Sequence, residues 1–476
     1  MKVLKIGISL LPLLIAVACR VGPDYEQPTL WDNSLLEQTL NLKTPSIQTL
    51  PFRPEELKDD VLNELIQETV NNAPDIKVAR ARIESARAMR LARVAGIFPF
   101  IDGELQYNDD KVGKNMAPAT SEKFYQSGLS IAWEIDLFGK KQRSIEAASA
   151  QEQQMVAALE NVMVSLITEV SSAYIGLRTT QYLLAQTKEN LKIQESLAKL
   201  THDKYQSGLS DAIDVNQADY QVATTKAVVP KLEIEIETYQ NALAILTGKP
   251  AGSLHDRLKP TNSNLITQPF SFSLEKLYSL PVEVIRLRPD VQGMEAALKA
   301  QNAEVGVALA NMFPTISFSA LFGFKSVQFP DLLEKESFAR SYQPAINVPI
   351  FHFGELWQNV KAQEATMKSL VAQYEKTILV ATEEIRNSLV GLKKMEGRHK
   401  ELERAWHKMD KAAALSRNKY ESGLIDYLQV LDAEERRIAA QASFITSCGN
   451  LYQNILNFYK AVGGQFSFNK LQQQSE

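Results

Sequence analysis

The chain is poor in cysteine. Of 476 residues only Cys19 and Cys448 are cysteines, so the sequence excludes a disulfide framework and a four-cysteine zinc site. The chain also has no large excess of positive or negative charge, since its formal net charge is only -4. Nothing in this balance points to nucleic acid as a partner. Glycine and proline are few, at 21 and 19 residues, and charged residues make up 23%, which argues against disorder.

Long hydrophobic runs are missing, apart from one at the N-terminus. Lys2 and Lys5 precede an apolar run over 6–18, a pattern typical of an export signal and short for a bilayer span. No later apolar run reaches the roughly 18 residues of a transmembrane helix. The sequence therefore predicts that any crossing of a membrane is made by β-strands.

The export signal ends in Ala16-Val17-Ala18-Cys19, which resembles a bacterial lipobox. The resemblance implies that Cys19 becomes the lipidated first residue, with palmitate-type acyl chains holding the N-terminus at a membrane surface. Arg20, in place of Asp, implies sorting to the outer membrane. The alternative is an ordinary export signal that leaves Cys19 as a spare thiol.

One short stretch occurs twice, at Lys204–Asp211 and at Lys419–Asp426, 215 residues apart. Each copy predicts a helix, a tight turn and a second helix, because glycine adopts the left-handed conformation that ends a helix and Asp can cap the next one. The same offset relates many other residues of the two halves, including Pro74/Pro289, Phe98/Phe313, Gly139/Gly354 and Gly248/Gly463. Two tandem structural repeats are therefore predicted.

The predicted organisation follows from this duplication. Its segments are a signal peptide at 1–18, a tether at 19–54, repeat 1 at 55–248, a linker at 249–281, repeat 2 at 282–463 and a tail at 464–476. Repeat 1 has a hairpin at about 100–137 and long helices at about 139–247. Repeat 2 has a hairpin at about 315–351 and long helices at about 354–462.

The hairpins alternate apolar and polar residues with a period of two, as in strands with one apolar and one polar side. Four strands cannot close a transmembrane barrel, so copies of the chain must share it, giving eight strands in a dimer, twelve in a trimer or sixteen in a tetramer. The polar side would line a negative lumen that favours cations, through Asp102, Glu104, Glu134 and Asp136. A soluble β-sandwich is the alternative.

The long helices are predicted to span roughly 65 residues each, or about 100 Å, with apolar seams of coiled-coil spacing. The seam of the first helix contains Met163, Ile167, Val170, Tyr174, Leu177, Leu184 and Leu191. The counterpart in the second contains Ile378, Ile385, Leu389 and Leu392, with Thr382, His399 and Trp406 in the remaining positions. A compact domain needs no helix of this length.

Together these motifs resemble the TolC/OprM outer-membrane efflux proteins, in particular the NodT-like lipoprotein branch. The match lies in Val21–Tyr25 after the cysteine, Trp133–Gly139 at a strand end, the two Lys-Tyr-x-Ser-Gly-Leu turns, and Val430–Ala433. It implies an α+β membrane protein that forms a homotrimer, with a twelve-stranded barrel in the outer membrane and an α-helical tunnel in the periplasm. Its implied partners are a periplasmic adaptor, an inner-membrane pump of the RND type, and outer-membrane lipid.

The resemblance also implies two sets of functional residues. The helix tips contact the adaptor through Ser207, Gly208, Leu209, Ser422, Gly423 and Leu424. The tunnel is pinched by apolar and acidic rings that correspond to Leu428 and Asp432, four residues apart and so on one helix face. Further gate candidates are Asp211, Asp214 and Asp426, for which helix capping is the alternative.

No enzymatic constellation is predicted, and no metal or cofactor. His399 and His407 flank Glu403 at helical spacing, but one seam position and one solvated face explain this arrangement. Cys448 is interpreted as a packed thiol. The predicted function is a passive exit duct for multidrug export, and the alternative is a surface-anchored coiled-coil stalk or adhesin without a pore.

Overall fold

The structure, a computed structural model, describes residues 20–28, 59–111, 122–260 and 282–464. They fall into two compact units. The sheet unit contains residues 20–28 and the described parts of Ala81–Ala157 and Gln292–Glu375. The helix unit contains residues 59–80 and the described parts of Ala158–Val291 and Lys376–Glu476. The predicted signal peptide and most of the predicted tether, linker and tail lie outside the described residues.

From α2 and α5 onwards the order of α-helices and strands is the same in both halves, and the equivalent α-helices begin and end 215 residues apart. The helices are α1 (Asp60–Asn72), α2 (Pro74–Ala95), α3 (Lys140–Gln206), α4 (Ala212–Leu246), α5 (Pro289–Ala310), α6 (Glu355–Glu421) and α7 (Tyr427–Ala461). The strands are β1 (Phe100–Asp110), β2 (Glu122–Ile135), β3 (Thr315–Ser326) and β4 (Phe338–Asn347). Short 3-10 helices occupy Val282–Leu287 and Lys335–Ser337.

Helix boundaries follow from local chemistry. Asp59 accepts a hydrogen bond from the Leu62 backbone N–H at 3.1 Å, so α1 begins at Asp60. Helix α2 begins with Pro74 as its first residue, a position where the missing N–H of proline costs no hydrogen bond. Gly248 and Gly463 have positive φ values, of 73° and 81°, and follow the returning helices α4 and α7.

The four strands form one antiparallel sheet in the order β1-β2-β3-β4. Its register places the apolar residues on one face, including Ile101, Leu105, Tyr107, Leu129, Ile131, Trp133, Ile316, Phe318, Phe322, Phe324, Tyr342 and Ile346. Much of this face is exposed in the single chain, Leu105 to 74%. Within the described sheet, β1 and β4 each have one neighbour, so both edges are open.

The second hairpin ends earlier than predicted. The sequence analysis extended it to about residue 351, whereas β4 stops at Asn347. Pro349 follows two residues later and has no N–H to donate to a strand ladder. Val348 and Ile350, which continue the apolar alternation, therefore lie beyond the strand and are exposed.

The predicted seams are confirmed as core in part. In α3 the seam residues from Met163 to Leu177 are buried, and in α6 Ile385, Leu389 and Leu392 are buried. The remaining seam residues are half-buried, namely Leu184, Leu191, Ile378, Thr382, His399 and Trp406. Both helices are 67 residues long, close to the predicted length. By length and composition α3 could also cross a membrane, which the lack of a long continuous apolar run in the sequence does not reveal. Half of its most apolar stretch is buried, as in a core helix.

One part of the predicted tether is docked. Residues 20–28 lie against the sheet unit, where the Val21 backbone N–H donates to the Phe138 carbonyl at 3.2 Å. Residues 20–28 of the predicted tether are thus held against the sheet unit by hydrogen bonds. The sequence pattern could not reveal the docking, since the partners are more than 100 residues away.

Candidate functional site

The two predicted turns have the same backbone. Gly208 and Gly423 have φ values of 74° and 71°, a left-handed conformation that glycine adopts without strain. Each turn closes with a hydrogen bond of 2.8 Å from the leucine N–H to the lysine carbonyl five residues earlier. The predicted adaptor-contacting residues at both tips are exposed, with Leu209 at 77% and Leu424 at 73%.

The tips contact each other through a residue that the sequence analysis did not select. The Lys204 ammonium lies 3.7 Å from the centre of the Tyr420 ring and also donates to the Tyr420 carbonyl. The Tyr420 and Thr201 hydroxyls are 3.0 Å apart. Tyr420 packs edge-on against Tyr427, with ring centres 5.8 Å apart. Burial raises the pKa of both phenols, that of Tyr427 to about 12, so both stay neutral donors at physiological pH.

The three gate candidates near the turns have different roles. Asp211 caps α4, since its carboxylate accepts from the Ile213 and Asp214 N–H groups at 2.8 and 3.0 Å. Asp214 accepts from the Ser210 hydroxyl at 2.7 Å. Asp426 precedes α7 but makes no side-chain cap hydrogen bond. The capping alternative is therefore confirmed for Asp211 and wrong for Asp426.

The predicted pinch residues share an exposed face of α7. Leu428 is 60% exposed. One turn on, Asp432 pairs with Arg436, whose Nε lies 2.9 Å from its Oδ1, and both side chains are exposed. The pair is intrahelical, at a spacing of four residues. The pair offsets the negative charge of this face, because each Asp432 carboxylate carries its own counter-ion.

The opposite face of α7 carries a buried polar network, also missed from the sequence. Glu434 and Arg437, only 3% and 4% exposed, are joined at 2.9 Å. Glu434 also accepts from Arg417 of α6, and Arg437 donates to Asn190 of α3 at 2.7 Å. Asn190 in turn donates to Gln441 at 3.0 Å. The network ties α7 to two other helices and so restrains rotation of the Leu428 and Asp432 face.

The polar face of the sheet contains three of the four predicted lumen residues. Asp102 and Glu104 of β1 have Ser130 and Gly128 of β2 as their register partners, and Glu134 is opposite Ser317 of β3. Register partners lie on the same face of an antiparallel pair, so these carboxylates are on the side opposite the apolar face.

Asp136 lies outside this polar face. Strand β2 ends at Ile135, and the Asp136 carboxylate accepts a hydrogen bond of 2.9 Å from the Gln142 N–H in the first turn of α3. The prediction that Asp136 continues the polar strand face is wrong. An acid at a helix N-terminus satisfies unpaired N–H groups, which explains this position.

The residues considered for chemistry have structural roles. His399 stacks on Phe444 with ring centres 5.2 Å apart and lies 2.9 Å from the Ser447 hydroxyl. Burial lowers the His399 pKa, and Glu403 opposes this shift. Burial raises the pKa of Cys448 to about 11, which suppresses the reactive thiolate. Among the residues that the structure describes, no three His, Cys, Asp or Glu side chains are grouped to hold a metal.

The relatives of this chain are outer-membrane proteins. The family model of the outer membrane efflux protein matches residues 65–249 and again 280–464. The solvent efflux pump outer membrane protein SrpC of Pseudomonas putida is 30% identical over 479 residues, covering 97% of this chain and 98% of SrpC. Outer membrane protein OprJ of Pseudomonas aeruginosa is 27% identical over 471 residues, covering 96% and 95%.

Solved structures agree with the sequence relatives. The outer-membrane channel OprN has 29% identity and a TM-score of 0.84, covering 94% of this chain and 99% of OprN. The match favours a channel over the alternative of a stalk without a pore, and over an enzyme. The resemblance noted in the sequence is confirmed, and the chain belongs to the outer membrane efflux protein family, as an efflux channel of the outer membrane.

Proposed function

We propose that three copies of this chain form the exit duct of a tripartite efflux system, with a shared twelve-stranded barrel in the outer membrane and an α-helical tunnel in the periplasm. The observation that carries the proposal is the open four-stranded sheet with one exposed apolar face. In lipid an unpaired strand edge is costly, so β1 and β4 need partners from other copies. Three copies would supply twelve strands in total.

The duct has no chemistry of its own in this proposal. A periplasmic adaptor docks on the exposed tips at Ser207–Leu209 and Ser422–Leu424, and an inner-membrane pump of the RND type drives export. The relative from Pseudomonas putida is named for solvent efflux, and we propose small organic compounds as the cargo class here, selected by the pump. Acylation of Cys19 is proposed from its sequence context.

Electron microscopy tests the assembly. Protein extracted in detergent is imaged in negative stain, and its mass is measured by light scattering with the detergent subtracted. We expect a particle of three chains with a hollow barrel at one end, each chain lighter than the 53.2 kDa of the full sequence because the signal peptide is removed. A monomer, or a rod without a lumen, would contradict the proposed duct.

We propose that the exposed face of α7 forms the pinch. Three Leu428 side chains would close a dewetted constriction, and three Asp432 carboxylates would bias it towards cations. The ion pair between Asp432 and Arg436 supports a pinch in which positive and negative charge are nearly balanced. Asp102, Glu104 and Glu134 line the lumen of the barrel in this proposal.

Two substitutions test the pinch by opposite effects in planar bilayers. Asp432→Ala leaves Arg436 unpaired, so conductance rises and cation selectivity falls. Arg436→Ala leaves Asp432 unpaired, so cation selectivity rises. The control is Glu401→Ala, which removes one exposed carboxylate paired with Arg404 on α6. Reversal potentials that do not move apart in the two variants would exclude this face from the pore.

A further inference from the structure

Residues 20–28 lie in a binding site on the sheet unit that is formed by Arg143, Asn302 and Gly306, and we call this site the seat. The seat binds the backbone of the segment, because a side chain donates a hydrogen bond to each of three successive carbonyls. Arg143 donates to the Val21 carbonyl at 3.1 Å and to the Gly22 carbonyl at 2.8 Å. Asn302 donates to the Pro23 carbonyl at 2.9 Å. These contacts recognise a peptide conformation more than a particular set of side chains.

Arg143 is a buried cation that depends on the segment. Its side chain is 1% exposed, and two carboxylates balance its charge, Glu146 at 2.9 Å and Asp24 at 3.2 Å. Asp24 is bound in addition by Arg20. If the segment left, Arg143 would lose two backbone carbonyls and the Asp24 carboxylate, and Glu146 would be its one remaining partner among these four. Because these hydrogen bonds involve charged groups, they stabilise the docked segment on the sheet unit.

Two glycines, one in the segment and one in the seat, allow the two backbones to approach closely. Gly22 has a φ of 94°, and a Cβ added there would lie 2.7 Å from the Gly306 Cα. A Cβ on Gly306 would in turn lie 2.9 Å from the Arg143 side chain. Neither position has room for a larger residue unless the segment moves.

The equivalent positions of the duplication lack this seat. The residue 215 positions after Arg143 is Gln358, and the residue 215 positions before Gly306 is Leu91. Leu91 is exposed on α2, where Gly306 of α5 is covered. The arginine and the glycine are thus features of one place in the molecule, beside the N-terminal segment.

We propose that Arg143, Gly306 and Asn302 form a peptide-binding site in cis, whose ligand is the N-terminal segment of the same chain, residues 20–28. The site attaches the mature N-terminus to the sheet unit independently of any acyl chain. Arg143 acts as a positioning residue that holds the start of the chain at the N-terminus of α3, next to the end of strand β2.

The test compares protease access in the full-length protein in detergent. Glu-specific protease cleaves after Asp24 and Glu26, and intact mass reports the cleavage rate. Arg143→Gln and Gly306→Leu each install the residue of the other half, and we expect at least tenfold faster cleavage in both. The control is Arg87→Gln, which removes an exposed pair with Glu152 at 3.0 Å and should leave the rate unchanged.

Two further variants keep the outcome decisive. Gly22→Val alters only the segment, so the sheet unit folds as before while the segment is released; continued protection would overturn the proposal. Cys19→Ser removes the predicted acylation site, and we expect protection to persist. Loss of protection in Cys19→Ser would mean that the acyl chain holds the segment, which also overturns the proposal. Conductance through the duct reports separately on the proposed function.

Discussion

The two helix tips share a sequence and a backbone, yet their tyrosines differ. Tyr205 in the first tip is 47% exposed, whereas Tyr420 in the second is 3% exposed. Tyr420 belongs to a core cluster that also contains Leu197, Ala218 and Val430. The position equivalent to Tyr427, which packs edge-on against Tyr420, is Ala212 in the first half. This exchange of a ring for a methyl group is one difference between the packed and the open tip, and Ser210 in place of Ile425, which packs against the cluster, is another.

This difference shows that a duplicated motif can serve two purposes. The turn itself depends on glycine and local hydrogen bonds, which both copies keep. The second copy has become the point where α3, α6 and α7 pack together, through Lys204 and the two tyrosines. The first copy keeps its aspartate as a helix cap. The following experiments test the contrast, and each compares the equivalent residues of the two tips or of the two long helices.

The largest effect is expected from the tyrosines. Tyr420→Ala leaves a cavity and removes the contacts to Lys204, Thr201 and Tyr427, so we expect a loss of about 3–5 kcal/mol in the free energy of unfolding. Tyr205→Ala should cost far less, since this ring is half exposed. Urea unfolding followed by circular dichroism measures both. Equal losses would mean that the tips are energetically alike.

The next largest difference is expected between the lysines of the two tips, Lys204 and Lys419, in their contribution to stability. Lys204→Ala removes the cation over the Tyr420 ring and the hydrogen bond to its carbonyl, at an expected cost of about 1–2 kcal/mol. Lys419→Ala changes an exposed residue and serves as the matched control. Thermolysin cleavage within the tips, read by mass, should accelerate for Lys204→Ala. If both variants are cut at the wild-type rate, the contact does not hold the tips together.

A smaller effect is expected from the aspartates. Asp211→Ala removes the cap of α4 and should cost about 1 kcal/mol, whereas Asp426→Ala should cost little because its carboxylate caps nothing. Hydrogen exchange at the amides of Ile213 and Asp214 should rise in Asp211→Ala. Unchanged exchange there would show that the cap contributes no local protection.

The smallest expected effect is on the pH dependence of stability, and it concerns equivalent positions of the two long helices. His399 occupies the seam position that Leu184 occupies in α3. Its folded pKa is lowered by burial below the ordinary 6.5, so the unfolded chain binds the proton more tightly. Stability is therefore full above pH 6.5 and falls as the pH drops below it. His399→Leu should flatten the fall in melting temperature between pH 8 and pH 5.5, and an identical fall would assign the sensitivity to other groups.

The sequence predicted much of this molecule because its signals are local and periodic. The heptad seam placed α3 and α6 correctly, the alternation around Leu129 and Phe322 placed the strands, and Gly208 and Gly423 placed the turns. The errors of the sequence-based predictions occurred at the ends of strands and helices. Asp136 looks like the next polar residue of a strand, and only the start of α3 at Lys140 turns it into a capping acid.

What the sequence alone determined was the set of elements, their duplication and the two-faced sheet, since each follows from spacing along the chain. Tertiary structure decided which of two residues at equivalent positions of the duplication became buried. Arg143 and Gln358, or Tyr420 and Tyr205, differ because distant segments cover one member of each pair. The balance of a buried charge or the filling of a cavity depends on atoms that meet from far apart in the chain, and no local pattern encodes that meeting.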